Sequence, residues 1–311
     1  MSIGVLSITD GPRTTVSDLI GAPMVIPARV LDLLANNFIA ETLLRNGGSN
    51  GNGLVEYYES TPLYLDSDVE LVAEFAEIPV GAGQIGLPRI SVATKKGLGI
   101  RVSREMRDEN RMGAVDLQVK QLVATMMRAE DRALRQILSN PAIPTIPAAA
   151  AWTASTARIR DDLFNAKEVI LSATPTGTQD DNTFDFNPDT VVMHGSVEAI
   201  LGRNDAFNSV YRNSPLVTED ISYSGKMPQK VVDLDALRPL TRSFDRTRVL
   251  VLERGTVGFY SDTRALEATG LYPEGNGPNG GPTESWRSDA TRKRAMGIDQ
   301  PLAACWITGV Q

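Results

Sequence analysis

"RISVATKKGLGIRVSREMRDEN" spans residues 89–110, and the fold is decided by how it is read. Its first part, as far as Val102, alternates loosely and predicts a strand. Ser103 then offers a helix N-cap, with Glu105 and Met106 behind it. The helix it opens is the best in the chain and is expected over residues 103–139. After Gly113, the residues Val115, Val119, Leu122, Met126, Ala129, Ala133 and Ile137 recur at spacings of three and four. Val123, Met127, Leu134 and Leu138 widen that apolar face, while Asp116, Lys120, Gln121, Arg128, Asp131, Arg132 and Arg135 populate the other side. A helix of about 25 residues would be roughly 38 Å long. "SNPAIPTIP" (residues 139–147) stops it, because each proline removes a donor and clashes with a continuing turn.

Upstream, the strand is the return limb of an unusual excursion, residues 54–102. The outgoing limb reads "LVEYYESTPLYLDSDVELVAEFAEIPV" (residues 54–80). It is rich in β-branched and aromatic residues, and acidic through Glu56, Glu59, Asp66, Asp68, Glu70, Glu74 and Glu77. Structureless loops beyond about 12–15 residues are uncommon and are usually functional or disordered. An ordinary hairpin in a globular sheet is the simplest reading. The long limbs, the charges, Pro62 and Pro79 fit better a loop that lies on something other than its own core.

Around this centre the chain is mixed. Residues 1–53 read as an arm, with a short helix over residues 27–44 carrying Val30, Leu31, Leu34, Phe38 and Leu43. "RNGGSNGNG" (residues 45–53) is expected as a linker. A second helix is predicted over residues 158–173, capped by Thr156, with Leu163, Ala166, Val169 and Ile170 inward. "TVVMHG" (residues 190–195) reads as a buried strand, and Ser196 opens a short helix. Further strands are expected at residues 230–234, 248–252 and 257–260. "YPEGNGPNGGPTES" (residues 272–285) reads as a flexible loop, and "ATRKRAMGIDQPLAACWITGV" (residues 290–310) as two short strands around a turn. No regular βαβ alternation is present, so the fold class is α+β.

Composition excludes much chemistry. The 311 residues are 42% hydrophobic and 22% charged, enough for a sizeable core in two subdomains. Net charge is −7, and no Lys/Arg block of the kind that grips phosphates is present. One cysteine, Cys305, and one histidine, His194, rule out an internal disulfide and a Cys/His zinc site. Cys305 sits in an apolar run and reads as a buried small hydrophobe. His194 has no nucleophile elbow near it, so no Ser/His/Asp triad can be assembled. Gly81, Gly83 and Gly86 match GxGxxG, but a strand follows where a dinucleotide site needs a helix. Those glycines are expected to make a mobile turn. Lys95 and Lys96 are expected to face solvent. No catalytic residues, cofactor or metal are predicted. No apolar run approaches the ~20 residues of a membrane span, and no signal peptide is legible, so a cytoplasmic start is expected.

Laid out in this order, the chain resembles the tailed-phage major capsid proteins of the Hong Kong 97 type over nearly its whole length. The order of arm, two-stranded extended loop, spine helix, mixed second domain and final strand pair carries the resemblance. So do "FAEIPVG" (residues 75–81), "KKGLGIRVSREMRDE" (95–109), "NPDTVVMHGSVEAIL" (187–201) and "IDQPLAACWITGV" (298–310). The resemblance implies a Hong Kong 97-like capsid fold. Its parts would be an arm at 1–53, the extended loop at 54–102, and a peripheral domain with the spine helix at 103–157. An axial domain at 158–285, partly returning to the peripheral domain, and C-terminal peripheral strands at 286–311 would complete it.

The resemblance also implies hexamers and pentamers on an icosahedral lattice, forming a virion shell that encloses double-stranded DNA without specific binding. Assembly would take place in a host bacterial cytoplasm, with separate scaffolding, decoration and portal proteins as possible partners. An encapsulin-like shell around protein cargo is the alternative with the same fold, and a soluble enzyme with a mobile lid is the alternative from another class. The expected interface residues are Leu6, Ile8 and Val16 in the arm and Tyr57, Tyr58, Tyr64, Phe75 and Ile78 in the loop. Some family members bond a lysine near the loop tip to an asparagine of a neighbour. This chain has no lysine between Glu56 and Thr94, so no such covalent network is expected.

Overall fold

Apolar residues at helical spacing draw the segment from Val16 to Leu34 onto the chain's own core. The computed structural model describes residues 15–34, 38–175, 183–204, 207, 230–239, 244–275 and 283–311. Among the described residues three short helices come first: α1 (Val16–Gly21), α2 (Val25–Leu34) and α3 (Ile39–Leu43). Thr15 caps α1 in a reciprocal box with Asp18. Val16, Leu19, Ile26, Val30 and Leu34 are buried, so this part of the expected arm folds against the chain itself. The helix expected over residues 27–44 is thus two helices, α2 and α3.

The Gly-rich stretch expected as a linker is instead a strand, β1 (Arg45–Ser49), parallel to β10 (Gly258–Ala268). Glycine is useful there: a Cβ on Gly47 would lie 3.2 Å from the Tyr260 carbonyl oxygen. β2 (Leu54–Glu59) and β3 (Leu87–Val92) pair antiparallel as a two-stranded ribbon. Ala93 is buried and separates β3 from β4 (Thr94–Ser103). β4 joins the main sheet by pairing with β12 (Ser285–Ile298). The return limb is therefore two strands in two different sheets.

Ser103 does cap a helix, its Oγ accepting from the Met106 backbone N–H at 3.2 Å. That helix is only the short α4 (Arg104–Asp108). Asn110 adopts φ 49°, a turn that residues with short polar side chains tolerate, and α5 (Met112–Leu138) begins afresh. α5 buries Val115, Val119, Leu122, Val123 and Met126 in one apolar cluster, with α1, α2, β4 and Trp286. Its last turns place Leu134 and Leu138 in a second cluster. One helix thus spans both cores.

The second core is built on a six-stranded sheet, ordered β5 (Thr145–Pro147), β13 (Ala304–Thr308), β9 (Arg248–Leu252), β6 (Thr190–Val192), β8 (Leu234–Leu237), β7 (Lys230–Val231). α6 (Ile159–Leu171) packs on it with Leu163, Ala166 and Ile170. Thr156 does not cap α6; Arg158 holds the N-cap position without a side-chain bond. His194 caps α7 (Gly195–Arg203), with Nδ1 accepting from the Ser196 N–H at 3.0 Å. The Trp306 indole N–H donates to the Leu138 carbonyl at 2.8 Å, closing the end of α5. Cys305 is buried, and desolvation pushes its thiol up to about 11.

The expected "two short strands" at the C-terminus are unequal, since β12 is a 14-residue strand at the heart of the five-stranded sheet. It takes β4 along one edge, and β10 and β11 (Tyr272–Glu274) along the other. Trp286, Ser288, Ala290, Arg292 and Arg294 alternate inward. The two arginines are only 4% exposed and pair with acids from other elements, although Arg292 Nε and Nη1 and Arg294 Nη1 are left without a hydrogen-bond partner. Arg294 grips Asp262 bidentately, at 2.6 and 2.8 Å, and reaches Glu41 of α3 at 2.9 Å. Arg292 bonds Glu41 as well, and lies over the Phe38 ring at 4.8 Å. Beside this cluster, Glu130 of α5 is buried, and Lys96 of β4 stands 3.7 Å from it. Desolvation holds the Glu130 carboxyl above its usual range, against the pull of Lys96 and Arg294. Lys96 is thus half-buried and bonded to the Ala129 carbonyl at 3.2 Å, where solvent had been expected.

Candidate assembly interface

The loop between β2 and β3 has a fastened root and a bare tip. At the root, Glu59 is buried and takes the Arg89 guanidinium at 2.6 Å. The Ser60 N–H donates to the Asp299 carbonyl at 2.8 Å, and Gln300 Nε2 donates to the Thr61 carbonyl at 3.2 Å. Ser91 Oγ donates to the Met296 carbonyl at 2.7 Å. Tyr57 sets its ring edge-on to Phe259 with centroids 5.1 Å apart. Arg45 holds the Asp299 carboxylate at 2.6 Å, although burial still keeps that carboxyl above its usual range. Of the three GxGxxG glycines, Gly86 is fixed by sterics, since a Cβ there would lie 2.0 Å from the Glu59 carbonyl oxygen. None of the three has the positive φ of a glycine hinge.

Beyond the root, residues 62–85 contain neither helix nor strand. The two limbs meet once, where the Asp66 carboxylate accepts from the Ala82 N–H at 2.7 Å and the Asp66 N–H donates to the Ala82 carbonyl at 3.1 Å. That backbone donor holds the Asp66 carboxyl below its usual range. The Tyr64 hydroxyl donates to the Asp185 carboxylate, tying the loop base to the strand-leading segment before β6. Further out, Val69, Leu71, Phe75 and Val80 are all at least 92% exposed, and Ile78 and Ile85 are mostly exposed. Phe75 adopts φ 66°, which costs a non-glycine residue about 1–3 kcal/mol. Asp66, Asp68, Glu70, Glu74 and Glu77 punctuate this apolar run, and no basic residue lies between Ser60 and Pro88. Large apolar side chains this exposed and this close together are the pattern that marks interaction surfaces.

The structure distributes the expected interface residues unevenly. Leu6 and Ile8 lie outside the described residues. Val16, expected on a neighbour, is fully buried in its own chain, because α1 packs on the cluster around α5. Tyr57 is half-buried on its own chain against Phe259. Tyr58 is exposed, and Tyr64 is exposed at its ring while bonded at its hydroxyl. Phe75 and Ile78 stand free at the tip. Sequence reading passed over Val69, Leu71 and Val80, whose signal was large apolar residues alternating with acids where no partner strand follows.

A family profile described as phage capsid protein matches residues 88–304, more than two thirds of the chain. No curated relative matches the sequence. A phage-related protein from Bordetella bronchiseptica RB50 superposes with a TM-score of 0.59 at 13% identity, covering 92% of this chain and 96% of that one. The capsid structure of the cyanophage P-SCSP1u gives 0.58 at 10% identity, with 86% of each chain covered. A virus-like particle from Pyrococcus furiosus gives 0.55 at 12% identity, covering 91% and 97%. At such identities the superpositions speak for the fold, which is the Hong Kong 97-like α+β arrangement.

Proposed function

This chain belongs to the phage capsid protein family as a major capsid protein of the phage head, and from that premise we propose that it assembles into hexamers and pentamers of an icosahedral shell around double-stranded DNA. The observation that carries the proposal is the contrast within the loop. Its root is bonded to its own sheet, while Val69, Leu71, Phe75 and Val80 have nothing of their own chain to cover them. A second copy is the natural cover, because every copy both offers a loop and needs one covered, which is the condition for a repeating lattice. Tyr58, Tyr64, Phe75 and Ile78 belong to that contact, with Val69, Leu71 and Val80 added. The division proposed for the chain follows the same logic: an arm, the loop from residue 54, a peripheral part carrying α5, an axial part from residue 158, and C-terminal strands returning to the peripheral part. The role is structural and non-catalytic, with assembly in the host cytoplasm alongside separate scaffolding, decoration and portal proteins. Negative-stain microscopy of the purified protein tests the proposal. Closed shells or ring-shaped capsomers are expected, and small globular particles under all assembly conditions would overturn it. Nucleic acid inside recovered shells is expected; protein cargo in its place would favour a cellular compartment.

A further inference from the structure

The exposed face of α5 carries a stripe of one sign. Lys120, Arg128 and Arg132 are all exposed, together with the neutral Gln121, Ala124 and Gln136. At 100° per residue the three cations fall within an arc of about 120°. From Lys120 to Arg132 they extend about 18 Å along the helix. The only acids between Leu117 and Leu138 are Glu130 and Asp131, and both are buried. Asp116, one turn before the stripe, is held by Arg29 at 2.6 Å. Lys120, Arg128 and Arg132 turn outward on this face while Glu130 is buried beneath it, in a chain whose net charge is −7. The stripe is invisible as a sequence block because helical spacing disperses it.

Two polyanions could meet this face: the acidic loop of a second copy, or nucleic acid. Magnitudes decide between them. Burying Val69, Leu71, Phe75 and Val80 contributes roughly 1.5–3 kcal/mol per side chain, whereas an exposed ion pair contributes about 0.2–1 kcal/mol. The loop therefore chooses its acceptor by apolar match. The stripe offers it one large apolar side chain, Leu117. The same scarcity argues against insertion into a lipid surface. A duplex asks only for charge, and about 18 Å of it presents roughly 11 phosphates.

Resting on the shell reading above, we propose that the α5 stripe is the surface facing enclosed nucleic acid, a sequence-independent phosphate contact made weakly by each subunit and repeated over the shell. The face of α5 bearing Lys120, Arg128 and Arg132 then points to the interior.

The test is fluorescence anisotropy of a labelled duplex of about 30 base pairs with unassembled full-length subunits, across about 50 to 200 mM salt. Three phosphate contacts give a log–log slope near −2.7, so their contribution falls about 40-fold over that range. K120Q/R128Q/R132Q should lose that component of the slope while keeping its circular dichroism and its ability to form shells. The charge-retaining R128K/R132K, and R203Q/R246Q elsewhere on the surface, should keep the native slope. An unchanged slope in the triple variant, or no duplex binding by native subunits, would overturn the proposal. So would a triple variant that keeps the slope but cannot close shells, which would assign the face to a neighbouring subunit. Failure of the native chain to assemble at all would instead strike the shell reading, so the two failures are distinguishable.

Discussion

Replacing the four most exposed loop side chains, V69S/L71S/F75S/V80S, separates folding from assembly. Each is at least 92% exposed in the single chain, so none contributes to its core. Surface substitutions of this kind change stability by about ±0.5 kcal/mol or less, and the urea midpoint of unassembled subunits should be unchanged. In the assembled shell the same side chains are proposed to be covered. Full burial of four such groups is worth about 6–12 kcal/mol. Ordering the loop and imperfect packing consume part of this. If half of the lower figure survives, about 3 kcal/mol is lost per contact, a factor of roughly 150 in the association constant. Light scattering against protein concentration reads this as a rise of at least tenfold in the assembly threshold. A threshold within threefold of native, with an unchanged urea midpoint, would refute the assignment of the loop tip to a neighbour.

Three further outcomes follow from the same structure. R294M takes from Asp262 its bidentate partner and from Glu41 one of its two arginines, leaving Arg292 on both acids, whose side chains stay 21% and 30% exposed; a loss of about 1.5–3 kcal/mol is expected in denaturant melts of unassembled subunits, and a loss under about 0.5 kcal/mol would contradict the role given to Arg294. Glu130 has its folded pKa raised above 4.5 by burial, so its stabilising contribution is complete below 4.5 and is lost as pH rises through the raised value. E130Q should therefore flatten the decline of the urea midpoint above pH 4.5 relative to native, and identical pH profiles would contradict the burial. With no lysine between Glu56 and Thr94, mature particles should run as monomers on a denaturing gel, and a ladder above the monomer mass would contradict the packing-only clasp.

Local signals in the sequence located α5, Ser103 and the β2–β3 ribbon, because periodicity and capping act within a few residues. Distant partners were harder to read. β4 looked like the limb of a loop because its partner β12 is about 180 to 200 residues away, from the pair Ser103↔Ser285 to the pair Thr94↔Arg294. β12 itself looked short because Arg292 and Arg294 occupy inward positions that normally hold apolar residues. Glu41 and Asp262, on two other elements, and the Phe38 and Tyr260 rings make those positions tolerable. β1 is nearly all glycine, asparagine and serine, and it is a strand because β10 offers an edge close enough for glycine alone. The break before α5 depends on Asn110 at positive φ, which the unbroken run of polar residues around it did not announce. Val16 shows the limit for the interface: an apolar residue near a terminus reads alike whether it covers its own core or a neighbour's.

The root of the loop explains how a 27-residue span without helix or strand, residues 60–86, can serve as a directed contact. A free span of that length would forfeit much of its binding energy to ordering. Here the Glu59–Arg89 pair, the Ser60 and Thr61 backbone bonds and the close approach of Gly86 to Glu59 fix both ends in one small patch. The Asp66–Ala82 bonds and the Tyr64–Asp185 bond continue that order part of the way outward. What remains to be ordered on contact is the tip around residues 67–81, so fewer residues lose their freedom when a neighbour arrives. Root bonds should therefore govern assembly through the loop's direction, and tip side chains through its adhesion. Loosening the root with R89A should raise the assembly threshold although Arg89 touches no neighbour in this reading. Restoring the bond with R89K should recover part of it. Recovery by lysine is the outcome that a direct contact of the planar guanidinium with another subunit would not give.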